Sequence, residues 1–159
     1  MTGEHDTAKR QLRAYLGVSV GRIEKFSAST PAEGSVFVKN FGQTPAYNLT
    51  QTSVLLPERF PFIGSLRELL KSKAGAPKTI GVLNPTQDFL AGGVSQRLYA
   101  EDEISKINEG KEWRLYLLGT ITYRDAFEEY HYVNFCFDYS GETIRSNRGV
   151  DICDFYGAD

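Results

Sequence analysis

The stretch from Val36 to Thr50 constrains this chain more than any other. It reads as two β-strands, Ser35–Phe41 and Ala46–Leu55, folded back on each other across an Asn-x-Gly turn. Asn40 suits the turn because its side chain bonds nearby backbone, and Gly42 because it tolerates a positive φ. Pro45 lacks a ladder donor, so it belongs at the start of its strand, on an exposed edge of the sheet. Each unusual residue here is explained by turn geometry, so the stretch sets a fold class and carries no chemistry.

The rest of the chain is patterned in the same way. Ten Phe, nine Tyr and one Trp give an aromatic content that favours strands. Residues 1–10 read as a frayed or helical lead-in. Gln11 to Phe26 alternates loosely and predicts a first long strand. Pro57 and Pro61 bracket a break. Leu66, Leu69 and Leu70 then recur at helical spacing behind Ser65 as a cap, with Gly75 as a stop. Thr79–Leu83 is a short strand, and Phe89–Leu98 holds an irregular one in which Ala91-Gly92-Gly93 is a bend. The segment 100–110 is a second short helix, with Glu101, Asp102 and Glu103 at its start and Gly110 at its end. Trp113, Leu115, Leu117, Gly119, Ile121 and Tyr123 alternate with more polar neighbours. A turn through Arg124–Glu129 leads to a partner strand with Val133, Phe135 and Phe137 on one face, and His131 and Tyr139 at its ends. Residues 11–159 are therefore expected to form one antiparallel β-sandwich with two short connecting helices.

Composition narrows the function classes. A net charge of −2 argues against nucleic acid or an anionic membrane as partner. The acids Asp125, Glu128, Glu129, Asp138, Glu142, Asp151, Asp154 and Asp159 gather late in the chain against Arg145 and Arg148. No apolar run reaches the roughly 18 residues of a membrane helix, so this segment is expected to be soluble and not to insert. There is no phosphate loop, dinucleotide fingerprint or nucleophile elbow, and no cofactor or metal is expected.

The remaining candidates are few. Cys136 and Cys153 form a disulfide if the chain's end crosses the outer face of its last strand in an oxidising compartment, and stay thiols otherwise. Cys136 and His131 lie five apart on a strand, on opposite faces, so they make no nucleophile–base pair. Asp125, Glu128 and Glu129 mark a solvated hairpin tip and lack the spacing of a calcium loop. Asn48-Leu49-Thr50 fits a glycosylation sequon inside a strand. Tyr116, Tyr123, Tyr130 and Tyr132 are cross-strand pairs or a binding face. Tyr123, Arg124, Asp125 and His131 are the candidate ligand-binding residues: Arg124 to pair an anion, His131 to move a proton.

Three blocks resemble a family of uncharacterised, membrane-anchored proteins of proteobacteria. They are residues 10–18; the stretch from Val38 to Tyr47; and Gly119–Phe127, followed by His131 and Asn134-Phe135-Cys136. Cys153 with Ala158-Asp159 is similar to that family's ending. The resemblance implies a soluble domain carried behind one or two transmembrane helices, on the periplasmic or cytoplasmic side, and no assigned activity. The second block is also similar to the strand–turn–strand of immunoglobulin-like extracellular modules, which implies an immunoglobulin-like sandwich with a binding role. The expected function is a non-catalytic domain that binds a protein or peptide through the Pro45 edge or the Tyr-rich hairpin. A small-ligand sensor or enzyme around Tyr123–His131, and a spacer or oligomerisation domain, are the alternatives.

Overall fold

The computed structural model describes residues 2–153. Along the chain run α1 (Thr2–Leu12), β1 (Leu16–Glu24), β2 (Glu33–Asn40), β3 (Ala46–Arg59), α2 (Leu66–Lys73), β4 (Lys78–Leu83) and β5 (Asp88–Val94). They are followed by α3 (Glu101–Glu109), β6 (Trp113–Arg124), β7 (Tyr130–Tyr139), α4 (Gly141–Ser146) and β8 (Val150–Asp151). The strands form two antiparallel sheets, ordered β1-β2-β5 and β4-β3-β6-β7-β8. The inward residues of both sheets, among them Val36, Val38, Leu49, Leu55, Leu117, Ile121 and Phe135, make one buried core. Period-two alternation drives this arrangement: each strand buries one row and leaves the other for solvent or a helix.

The β2–β3 stretch is not a hairpin. β2 pairs with β1 and β5, while β3 pairs with β4 and β6, so residues 41–45 carry the chain from one sheet to the other. Val36 and Val38 therefore meet Ala46 and Leu49 across the core rather than along one sheet. Asn40 holds this crossing. It is fully buried; its Nδ2 donates to Thr44 O (2.9 Å) and Leu83 O (3.0 Å), and its Oδ1 accepts from Gly42 N (2.8 Å). Gly42 serves close approach and not a positive φ: a Cβ there would stand 2.4 Å from Arg13 O and 2.6 Å from Ala14 Cα.

Other expectations are corrected by tertiary structure. The first strand does not begin at Gln11, because α1 runs to Leu12. β3 is central, so Pro45 does not mark an edge. Pro57 breaks nothing: it lies within β3, beyond Gln51 where β4 stops pairing and only β6 remains alongside. Ala91-Gly92-Gly93 is strand, not bend; a Cβ on Gly92 would stand 1.9 Å from Gly34 O of β2. The helices described number four rather than two.

α2 forms as its sequence indicates, with Ser65 Oγ accepting from Glu68 N (3.3 Å), although it ends at Ala74 and not Gly75. Its Leu66 and Leu70 do not enter the sandwich core. They cover Val54, Tyr116, Leu118, Cys136 and Cys153 on the outer face of the five-stranded sheet, making a second, smaller core. No helix among the described residues is long and apolar enough to cross a membrane.

Candidate functional site

The β6–β7 hairpin places all the candidate residues, and strand parity sorts them. Tyr123 stands opposite His131 and Arg124 opposite Tyr130, with 125–129 as the loop. The loop is closed by Asp125 N donating to Glu129 O (2.9 Å) and Glu128 N donating to Asp125 O (3.1 Å). Inside it, Asp125 Oδ1 accepts from Phe127 N (2.8 Å) and Glu129 N (3.0 Å). Its other oxygen, Oδ2, lies 2.6 Å from His131 Nε2. The rings of Tyr123 and His131 pack with centroids 5.3 Å apart.

Asp125 and His131 are 1% and 5% exposed. Asp125 is thus not part of a solvated tip, and His131 is neither exposed nor half-open. Glu128 and Glu129 do face solvent. Burial opposes the charge of Asp125, but the His131 hydrogen bond and the Glu129 and Phe127 amides outweigh it, so its carboxyl sits below the ordinary range. The structure brings Tyr123, Asp125 and His131 together and sends Arg124 to the other face, with its guanidinium 5.9 Å from the Tyr47 ring centroid. Glu129 approaches from outside: its carboxylate, that of Asp125 and a ring nitrogen of His131 lie within 4.8 Å of one another. Lys9 of α1 stands 3.9 Å from Glu129 Oε1 and 5.8 Å from the Phe127 ring centroid.

The opposite face of the same hairpin carries an open groove of about 580 Å³. One wall is α2, through Arg67, Leu70 and Lys71; the floor and far wall are Thr120, Thr122, Tyr130, Tyr132 and Asn134, with His131 also reaching the lining. Leu70 is anchored in the outer core, whereas Arg67 and Lys71, one helical turn apart, stay exposed and put two cations on the rim. Thr120 Oγ1 donates to Asn134 Oδ1 (2.8 Å), and the Thr50 and Thr122 hydroxyls bond each other. Tyr130 is 74% exposed. The four tyrosines therefore divide. Tyr130 and Tyr132 face the groove; Tyr123 turns inward. Tyr116 lies beneath α2, where its hydroxyl donates to Arg59 O (2.8 Å) and burial pushes it up to about 12.

In the outer core beneath α2, Cys136 and Cys153 are joined, with Cα atoms 4.9 Å apart. This disulfide belongs to the outer core and fixes the base on which α2 rests. The late acids Asp154 and Asp159, and Ala158, lie outside the described residues. Asn48 of the sequon is exposed at a bulge in β3, with φ of 52°. The sequence reading found the α2 helix without seeing its rim; the only available signal was the i, i+4 spacing of Arg67 and Lys71. No family model, curated protein or solved structure matches this chain.

Proposed function

We propose that this chain is a non-catalytic, immunoglobulin-like binding domain of a membrane-anchored bacterial protein, and that its groove takes an acidic, extended peptide segment of a partner. The groove carries the reading: two exposed cations beside a sheet face of threonine, asparagine and tyrosine side chains, in a protein of net charge −2. Carboxylates of a peptide pair with Arg67 and Lys71, and its alternate side chains meet the threonine and tyrosine rows.

The strand order supports the immunoglobulin-like topology. β1, β2 and β5 correspond to strands A, B and E, and β4, β3, β6 and β7 to C′, C, F and G, with β8 appended. The sheet-crossing 41–45 then corresponds to the B–C connection. The disulfide suits an oxidising compartment, which favours the outer side of an inner membrane over the cytoplasm. Under this reading the anchor lies in the parent protein, outside the described residues.

Fluorescence anisotropy with a labelled glutamate-rich peptide tests it. Saturable binding that weakens with salt, and that falls roughly tenfold or more in the double variant Arg67→Glu/Lys71→Glu, is expected. Binding that the double variant leaves unchanged, or no saturable binding, refutes it.

A further inference from the structure

The hairpin end offers a second, separate chemistry. The geometry points to a divalent transition-metal site held by Asp125, Glu129 and His131. Three observations converge on it. The donor atoms already lie within 4.8 Å of one another, from residues one loop apart. Two of the three side chains are almost wholly buried and fixed: Asp125 by two backbone amides, His131 by packing on Tyr123. The third, Glu129, is exposed, so the site opens to solvent on one side only.

The donor set selects the metal class. One imidazole nitrogen and two carboxylates suit zinc and its first-row neighbours, whereas calcium asks for six to eight oxygens. The cysteines do not compete as ligands, because both are spent in the disulfide. Binding requires a small opening. His131 Nε2 and Asp125 Oδ2 stand 2.6 Å apart in a hydrogen bond. Two ligand atoms on one tetrahedral zinc stand about 3.3 Å apart, so the pair separates by roughly 0.7 Å and the proton leaves.

Lys9 makes the site adjustable. At 3.9 Å from Glu129 Oε1, its ammonium occupies the carboxylate's outer side and competes with an incoming cation. The site would couple metal to the contact between α1 and the hairpin tip, since Lys9 also sits against the Phe127 ring. The metal site and the groove share only His131, which also lines the groove; Asp125 and Glu129 do not.

Isothermal titration of the full, disulfide-bonded chain with zinc chloride, after stripping with a chelator, reads the outcome directly. One site per chain is expected, with affinity roughly tenfold or more weaker in Glu129→Gln and tighter in Lys9→Ala. Glu129 is exposed, so its substitution leaves the fold intact, and cobalt substitution should give visible d–d bands that Glu129→Gln alters. No saturable uptake by the wild type overturns the proposal. So does uptake equal in wild type and Glu129→Gln, which places the metal elsewhere, for instance at His5.

Discussion

Two buried polar side chains shape the loops at one end of the sandwich. Asn40 organises residues 41–45 and Asp125 organises 125–129, and the pairing of Tyr47 with Arg124 puts both loops at that end. In each case a short side chain replaces backbone partners that a tighter turn would have supplied. Removing it strands buried carbonyls or amides, which costs more than the lost bond itself. Asn40→Ala leaves Leu83 O, in a buried setting, and Thr44 O, in a part-buried one, without their donor. Urea unfolding should show a loss of about 3 kcal/mol. A loss below about 1 kcal/mol would mean that water or a shifted loop replaces Asn40. Asn40's bond to its own turn was visible in the residue types; its reach to Leu83 and the inward role of Asp125 were not. An Asp between Arg124 and Ala126 in an acidic run reads as solvent-facing, because charge pattern carries no information about which carboxylate a loop turns inward.

The elements differ in how openly their sequences declare them. β6 and β7 were legible because each carries a long apolar row on one face, from Leu115 to Tyr123 and from His131 to Tyr139. α2 and α3 were legible from their ends: Ser65 caps one, and Gly110 at φ 68° terminates the other. The pairing of β2 was not legible. Two apolar rows joined by five residues look alike whether they share a sheet or face each other across a core, since both arrangements have period two. α1 was missed past residue 10 because Lys9, Arg10, Gln11 and Leu12 show neither period clearly. α3 also carries a pH test. Glu103 bonds Arg97 through both oxygens (2.8 and 2.7 Å) and accepts from Ala100 N (3.0 Å). The Arg97 bond, then the Ala100 amide, lower its carboxyl from 4.5 to about 2. A lowered acid stabilises the folded state fully above its unfolded value and loses that contribution as pH falls towards the folded value. Thermal melting from pH 6 to pH 2 should therefore show the gap between wild type and Glu103→Gln closing below about 4.5, and it should be small because the pair is largely exposed. A gap that is constant over this range would contradict the assignment.

At the scale of the whole molecule, two cores divide the labour. The inner one joins the sheets; the outer one, built on Val54, Tyr116, Leu118 and the Cys136–Cys153 disulfide, seats α2 and so holds the cationic wall of the groove. That division explains why the groove was only half legible. The tyrosine-bearing strand was evident, but its opposing wall comes from a helix whose docking face depends on a packing partner far along the chain. The two chemistries of the hairpin also differ in place: the groove lies along the outward row, and the carboxylate–imidazole cluster sits at the loop end, with His131 common to both. The central claim is that the outward row is the binding surface. Amide chemical-shift mapping of the ¹⁵N-labelled chain during titration with a glutamate-rich peptide addresses it most directly. The account predicts saturable shifts at Arg67, Lys71, Thr122, Tyr132 and Asn134, absent in Arg67→Glu/Lys71→Glu. Shifts confined to the loop end around Phe41 and Asp125, or to the β1-β2-β5 sheet, would contradict it.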